Sequence, residues 1–309
     1  MSPDIQEDAP DLWLRYMLSG EFEKAWQKTD KDLAARAGKP CWHLPRHFQY
    51  IWDGGSLAGK RVLVRCYHGL GDTIQFIRYM PLLKAVAAEV IVWAQQELLP
   101  LLQTVQGIDQ LLPLHDGTPE VAYDVDVEIM ELPHIFRTTP ETIPNTIPYL
   151  HAAPRFLASD PEQLAVGLVW KAGDWDGRRS VSFALLAPLA RVPGVQLFIL
   201  QGDAEQAGWQ QGLGTNPGAL SLSEYARVVR GLDLLITVDS MPAHLAGALG
   251  VPVWTLLHAE ADWRWMQHRT DSPWYPAMRL FRQPQAGDWQ SVASQVQAAL
   301  AQLSQREKT

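Results

Sequence analysis

The sequence predicts an α/β protein made of two Rossmann-like halves behind a short helical N-terminal segment. Three observations carry this prediction. The β-branched run RVLVRCY, from Arg61 to Tyr67, leads to Gly69-Leu70-Gly71 and then to an apolar-periodic stretch, the order strand, glycine turn, helix. A second alternation of the same kind begins with LAVGLVW, after a proline-rich break from Thr138 to Pro154. The chain has 309 residues, more than one hydrophobic core ordinarily serves.

Taken in order, residues of about 9 to 38 read as a helical pair. Leu12, Leu14, Met17 and Leu18 recur at helical spacing, and SGEFEKAWQ supplies a turn glycine followed by an amphipathic run. A single hairpin has no demonstrable period, so a helical cap and one tetratricopeptide-like unit both fit. From Arg61 the expected elements are the strand RVLVRCY, the helix TIQFIRYMPLLKAVA, the strand EVIVWAQ, the helix LLPLLQTV and the strand YDVDVEIM. The second half continues through VSFALLAPLARV, VQLFILQ, SEYARVVRGL, LDLLITVD, PAHLAGALG and PVWTLL to a helix near Trp289 to Leu303. Alternating strands and helices predict parallel sheets. The expected division is a helical segment over 1–50, a first α/β domain over 51–155 and a second over 156–309.

Composition narrows the partners. With 47% hydrophobic and 19% charged residues the chain has the make-up of a globular protein. A net charge of −8 gives no footprint for nucleic acid, although a local basic pocket can still hold a phosphate. Cys41 and Cys66 are too few for a disulfide framework and wrongly spaced for a CxxC metal site, which predicts a reducing, cytoplasmic setting. The acidic start MSPDIQEDAPD lacks the order of a signal peptide, and no run approaches the roughly 20 apolar residues of a membrane span. Peripheral membrane contact stays open. Of the 13 tryptophans, most are expected in packing and a few in pocket walls.

Ligands of parallel α/β sheets lie beyond the carboxyl ends of strands, so the residues there are the candidates. After the first strand come His68, Gly69, Gly71, Asp72 and, one helical turn on, Gln75. Glycine lets backbone approach a ligand closely, and Asp72 suits a helix N-cap as well as a general base. After LAVGLVW, the loop with Lys171, Arg178 and Arg179 offers cations to a diphosphate, or is a solvated polar loop. After LDLLITV, Asp239 and Ser240 open a helix whose N-terminus favours an anion, with capping the plainer alternative; His244 follows on that helix. Asp124 and Asp126 form a DxD pattern that fits a metal site or the polar face of a strand. Neither a full GxGxxG nor a Walker motif is present.

With these residues in view, the chain resembles the heptosyltransferase-related glycosyltransferases of family nine, in particular the bacterial branch that carries tetratricopeptide repeats. The resemblance lies in WDGG with LAGKRVLV, GLGDTIQFIRYMPLL, ETIPNTIPYL, GRRSVSF, ITVDSMPAHLAGALGVPVWTLL, DWRWM and RTDSPWYPAMRLFRQ, over about residues 52 to 290. It implies a GT-B fold of two Rossmann-like domains facing a cleft. It further implies an inverting, metal-independent transfer from a nucleotide-diphosphate sugar, ADP-heptose being one such donor, to a saccharide, glycolipid or protein hydroxyl, with no other cofactor. The donor falls to the C-terminal half and the acceptor to the N-terminal half. Asp72 takes the position of the base, Arg179 with Arg178 beside it that of the phosphate-binding cation, and Asp239, Ser240 and Met241 that of a D-[ST]-G donor loop. Met241 replaces the usual glycine, which puts ADP-heptose in question and leaves a catalytically silent GT-B binding module as the alternative.

Overall fold

The computed structural model describes residues 12–39, 49, 51–158 and 160–306. The expectation for residues 9–11, for Cys41 and for the ends of the helical segment lies outside these. Within them the helical pair is α1 (Leu12–Leu18) and α2 (Phe22–Arg36), joined at Gly20 with φ +79°. That left-handed conformation is open to glycine and strained for most other residues.

The first sheet has four parallel strands in the order β3-β2-β1-β4: β1 (Arg61–Arg65), β2 (Glu89–Ala94), β3 (Gln110–Pro113) and β4 (Val125–Glu128). Leu63 aligns with Ile91 on one side and Asp126 on the other. The second sheet has five parallel strands, β6-β5-β7-β8-β9, with β5 (Leu164–Val169), β6 (Val195–Ile199), β7 (Leu234–Val238), β8 (Val253–Leu257) and β9 (Met278–Arg282). Strands β5, β7 and β8 are buried at every residue, as strands covered on both faces must be. Strand order reverses between β1 and β4 and between β5 and β7, and at such switch points the loops splay apart to leave a crevice.

Three expectations are corrected. The single helix over TIQFIRYMPLLKAVA is α3 (Leu70–Phe76), a 3₁₀ turn (Ile77–Tyr79) and α4 (Met80–Val86). Pro81 lacks the N–H that a continuous helical ladder needs. LLPLLQTV shrinks to a 3₁₀ turn (Gln96–Leu98) and α5 (Leu99–Leu102). Two strands, β3 and β9, have no counterpart in the sequence-based assignment; both are edge strands, where one-sided pairing leaves a weak pattern.

The later helices are α6 (Leu132–Ile135), α7 (Phe183–Leu186), α8 (Leu222–Arg230), α9 (Met241–Leu249) and α10 (Trp289–Arg306), and the halves meet through α3 and α9. A Cβ on Gly71 would stand 2.9 Å from Cδ2 of His244 and 3.5 Å from Cα of Met241, so the second glycine of the turn is needed for helix-to-helix approach. The connection over 139–158 runs along the same junction, Tyr149 and Leu150 donating N–H bonds to the carbonyl of Ala248. The hairpin touches both halves. Trp26 Nε1 donates to Thr138 O at 2.6 Å, and Asp30 accepts from Arg137, while Gln267 N donates to Leu18 O at 2.8 Å.

Candidate functional site in the cleft between the two sheets

Helix α3 starts where the β1 loop ends, with Gly69 as N-cap and Asp72 at its third position. Asp72 Oδ2 accepts the Gly69 N–H at 2.9 Å, half of a capping box, which fixes the carboxylate at the mouth of the cleft. Oδ1 accepts from Arg264 Nη2 at 2.6 Å. The two readings of Asp72 are therefore compatible: a capping bond uses one lone pair, and the group keeps lone pairs for a proton.

Arg264, which motif reading missed, ties the site together. Its Nη1 bonds Asp262 Oδ1 at 2.9 Å and its Nε bonds Gln75 Oε1 at 2.7 Å, so one planar fork engages three partners from both halves. Burial works against its charge, but Asp262, Asp72 and Asp239 outweigh it and hold the guanidinium protonated. The signal available was its place in DWRWM, a segment recognised for resemblance without a role for its arginine.

From the second half, Arg179 closes a 3₁₀ turn (Gly177–Arg179) after β5. Its Nη1 donates to Asp239 O at 3.1 Å, its guanidinium lies 4.3 Å from the Trp175 ring centroid, and its buried Nε has no protein partner. Asp239 follows β7 directly; burial, aided by Asp262, pushes its carboxyl up to about 6 against the pull of Trp265, Arg179 and Arg264. Ser240 caps α9 without a side-chain capping bond, its Oγ donating instead to Val238 O at 3.2 Å. The start of α9 thus keeps its affinity for an anion. His244, stacked on Trp265 and bonded through Nδ1 to Tyr275 OH at 3.0 Å, is driven toward the neutral form by burial and by Arg264, Arg78 and Arg179.

A cavity of about 210 Å³ gathers Gly69, Gly71, Asp72, Arg179, Asp239, Ser240, Met241, His244 and Arg264. Through Gly173, Ser240 and Met241 it adjoins a second cavity of about 360 Å³, between the ends of β5 and β6 and the loop over 217–220. There the buried Tyr225 hydroxyl has no protein partner.

Other candidates stand elsewhere. Lys171 lines the second cavity, its Nζ held by Asp203 at 2.6 Å. Arg178 is exposed and engaged by Asp176 and Glu260. Gln75 is fully buried and supports Arg264, so it does not face the cleft. His68 turns its Nε2 toward Glu128, 3.8 Å away, and its carbonyl accepts from Gln95. The DxD carboxylates are taken by arginines, Asp124 by Arg61 and Asp126 by Arg65, in line with a polar strand face. Among the described residues no group of three or more His, Cys, Asp or Glu could hold a metal ion, and no helix is long and apolar enough to cross a membrane.

Two parallel sheets with Rossmann-like order, facing a cleft, make this a fold of the GT-B type. Residues 213–286 match the model of glycosyltransferase family 9 (heptosyltransferase). Protein FlbA of Caulobacter vibrioides is 27% identical over 330 residues, 91% of this chain and 52% of FlbA, so the chain spans about half of that relative. Among solved structures, a family 9 glycosyl transferase from Veillonella parvula has a TM-score of 0.55 at 14% identity, over 82% of this chain and 99% of that one. The E. coli heptosyltransferase WaaC with ADP-2-deoxy-2-fluoro heptose also reaches 0.55, at 13% identity over 79% and 99%. The E. coli H10407 glycosyltransferase TibC, described as iron-containing, gives 0.51 at 16% identity over 65% and 59%.

Proposed function

We propose that the chain is an inverting glycosyltransferase that moves a sugar from a nucleotide-diphosphate donor to an acceptor hydroxyl without a metal ion. The observation that carries this reading is the juxtaposition in one cavity of a carboxylate from the first half, Asp72, with a cation and an uncapped helix start from the second, Arg179 and Ser240. The donor's nucleoside takes the second cavity, where the Tyr225 hydroxyl lacks a partner, and its diphosphate spans the start of α9. Arg179 Nε, buried and unpaired, is the donor for a phosphate oxygen.

In the reaction Asp72 accepts the proton of the acceptor hydroxyl as that oxygen bonds to the anomeric carbon. The bond from that carbon to the β-phosphate oxygen breaks, and its electron pair leaves with the nucleoside diphosphate. Arg179 and the α9 N-terminus stabilise the charge that develops there. Arg264 is a positioning residue: it holds the Asp72 carboxylate aimed, and Gln75 and Asp262 hold Arg264. Met241 lies in the wall shared by the two cavities, so its side chain narrows the passage that glycine leaves open in a D-[ST]-G loop, which favours a donor other than ADP-heptose.

A thermal-shift panel of nucleoside diphosphates and nucleotide sugars, with and without magnesium, tests the reading. Ligand at about 100 times its Kd adds roughly 2.7 kcal/mol. The expected result is a magnesium-independent shift with one diphosphate and its sugar; no shift with any member contradicts it.

A further inference from the structure

Trp175 stands apart from the other tryptophans among the described residues: it alone is exposed, at 77%, while the rest are buried or half-buried. An indole left in water forgoes the burial that this side chain ordinarily contributes, so its place is informative. That place is the loop between β5 and the 3₁₀ turn at Gly177–Arg179, on the second half. There Trp175 lines the first cavity, of about 210 Å³, together with Gly173, Arg179 and Asp239, while Asp72 lines the same cavity from the first half. Indole and candidate base therefore border one space. An adjoining cavity of about 480 Å³, also lined by Trp175, leaves room for substituents on a ring held there.

Arg179 meets this indole with one part of its guanidinium and keeps another for the donor. Its Cζ lies over the Trp175 ring, 4.3 Å from the centroid, whereas its N–H groups lie in the guanidinium plane. Nη1 and Nη2 donate to the carbonyls of Asp239 and Gly173, and Nε stays without a protein partner for the phosphate oxygen. Stacking by Arg179 covers one face of the indole, and the exposure of the residue belongs to the other face and the edges. A ring bonded to that phosphate comes to lie beside the open indole. The first cavity holds such a ring and little more, being smaller than the roughly 300–1,000 Å³ of pockets that take whole ligands. Its charges are already matched. Arg264 is held by Asp72 and Asp262, and Arg179 serves the phosphate, so no cation of the lining remains for an acidic sugar.

We propose that Trp175 is the contact for the donor's sugar, stacking on the C–H face of a neutral pyranose bonded to the β-phosphate, and that this sugar carries no carboxylate. The inference rests on the transferase reading above. It keeps the division between the halves: the second holds nucleoside, diphosphate and sugar, and the acceptor hydroxyl reaches the anomeric carbon from the first, beside Asp72. Burying the open indole against the ring stabilises the nucleotide sugar in a way that the bare diphosphate cannot share.

Calorimetric titration of the full chain tests this. ADP, UDP and GDP are titrated first; the probes are then the glucose, galactose, mannose, N-acetylglucosamine and glucuronic acid conjugates of the diphosphate that binds. In Trp175→Ala at least one neutral conjugate is expected to weaken about 3–10-fold more than the bare diphosphate, and Trp175→Phe to recover most of that difference. The side chain lies outside the core, so both variants should melt with the wild type. If no diphosphate binds the wild type, the transferase reading itself fails, and this inference with it. If a diphosphate binds, the proposal alone is overturned when conjugate and diphosphate weaken by the same factor, which makes Trp175 a prop for Arg179. It is equally overturned when neither weakens, when no neutral conjugate binds, or when dependence on Trp175 is confined to the glucuronic acid conjugate.

Discussion

Asp239 shows how a single carboxylate reports on the cleft. An ordinary aspartate in the unfolded chain titrates near 3.8, whereas burial brings the folded group to about 6. Between these values the folded protein keeps a proton that the unfolded chain has released. The contribution of this group to stability is therefore greatest below pH 4, falls as pH rises from about 4 to 6, and is level beyond, a change on the order of 2–3 kcal/mol. Glu128, also raised by burial, adds a slope of the same sign. The difference between wild type and Asp239→Asn in melting temperature across pH 4–7 isolates Asp239: the variant is expected to lose part of the decline. An unchanged pH dependence contradicts the assignment. For Asp72 the geometry decides which substitution is informative. Alanine would remove the capping bond and strand Arg264 as well as the base, while asparagine keeps the shape and an acceptor oxygen.

At the scale of elements, the contact of α3 with α9 is the most constrained feature. Gly71→Ala places a methyl 2.9 Å from His244, a side chain locked between Trp265 and Tyr275, so overpacking should cost about 1–3 kcal/mol in urea unfolding. A variant as stable as wild type would mean that the helices part freely. This contact also shows what was legible in the sequence and what was not. The glycine turn after β1 was visible, and so was the start of α9 after β7, because both follow apolar runs. The partner of Gly71 was not, since a close approach between helices 170 residues apart in the chain leaves no local pattern. Arg264 was hidden for the same reason: its partners Asp72 and Gln75 are remote in sequence. Gln75 was read as facing the cleft because it lies one turn beyond Asp72, whereas helical geometry turns it inward to Arg264. The edge strands β3 and β9 each pair on one side only; β3 buries none of its residues, and β9 sets its buried Met278, Leu280 and Phe281 among arginines, so neither presents a continuous apolar run.

At the scale of the whole molecule, aromatic packing joins the three parts. Trp263 of the second half meets Trp13 and Phe22 of the hairpin, stacks near Phe76 of the first half, and abuts Trp274. Trp263→Ala is expected to cost about 3–5 kcal/mol and to lower one shared calorimetric transition; separate melting of hairpin and sheets would show that the packing does not couple them. The same joint brings Asp262 and Arg264 against Asp72, so assembly of the molecule and assembly of the site are one event. Release of nucleoside diphosphate from a panel of nucleotide sugars, with EDTA present, tests the central claim most directly. The account predicts that one donor is turned over by the wild type in EDTA and that Asp72→Asn slows its turnover about 10²–10⁴-fold while diphosphate affinity stays within a few fold. Equal turnover in Asp72→Asn, or turnover that EDTA abolishes, would contradict it.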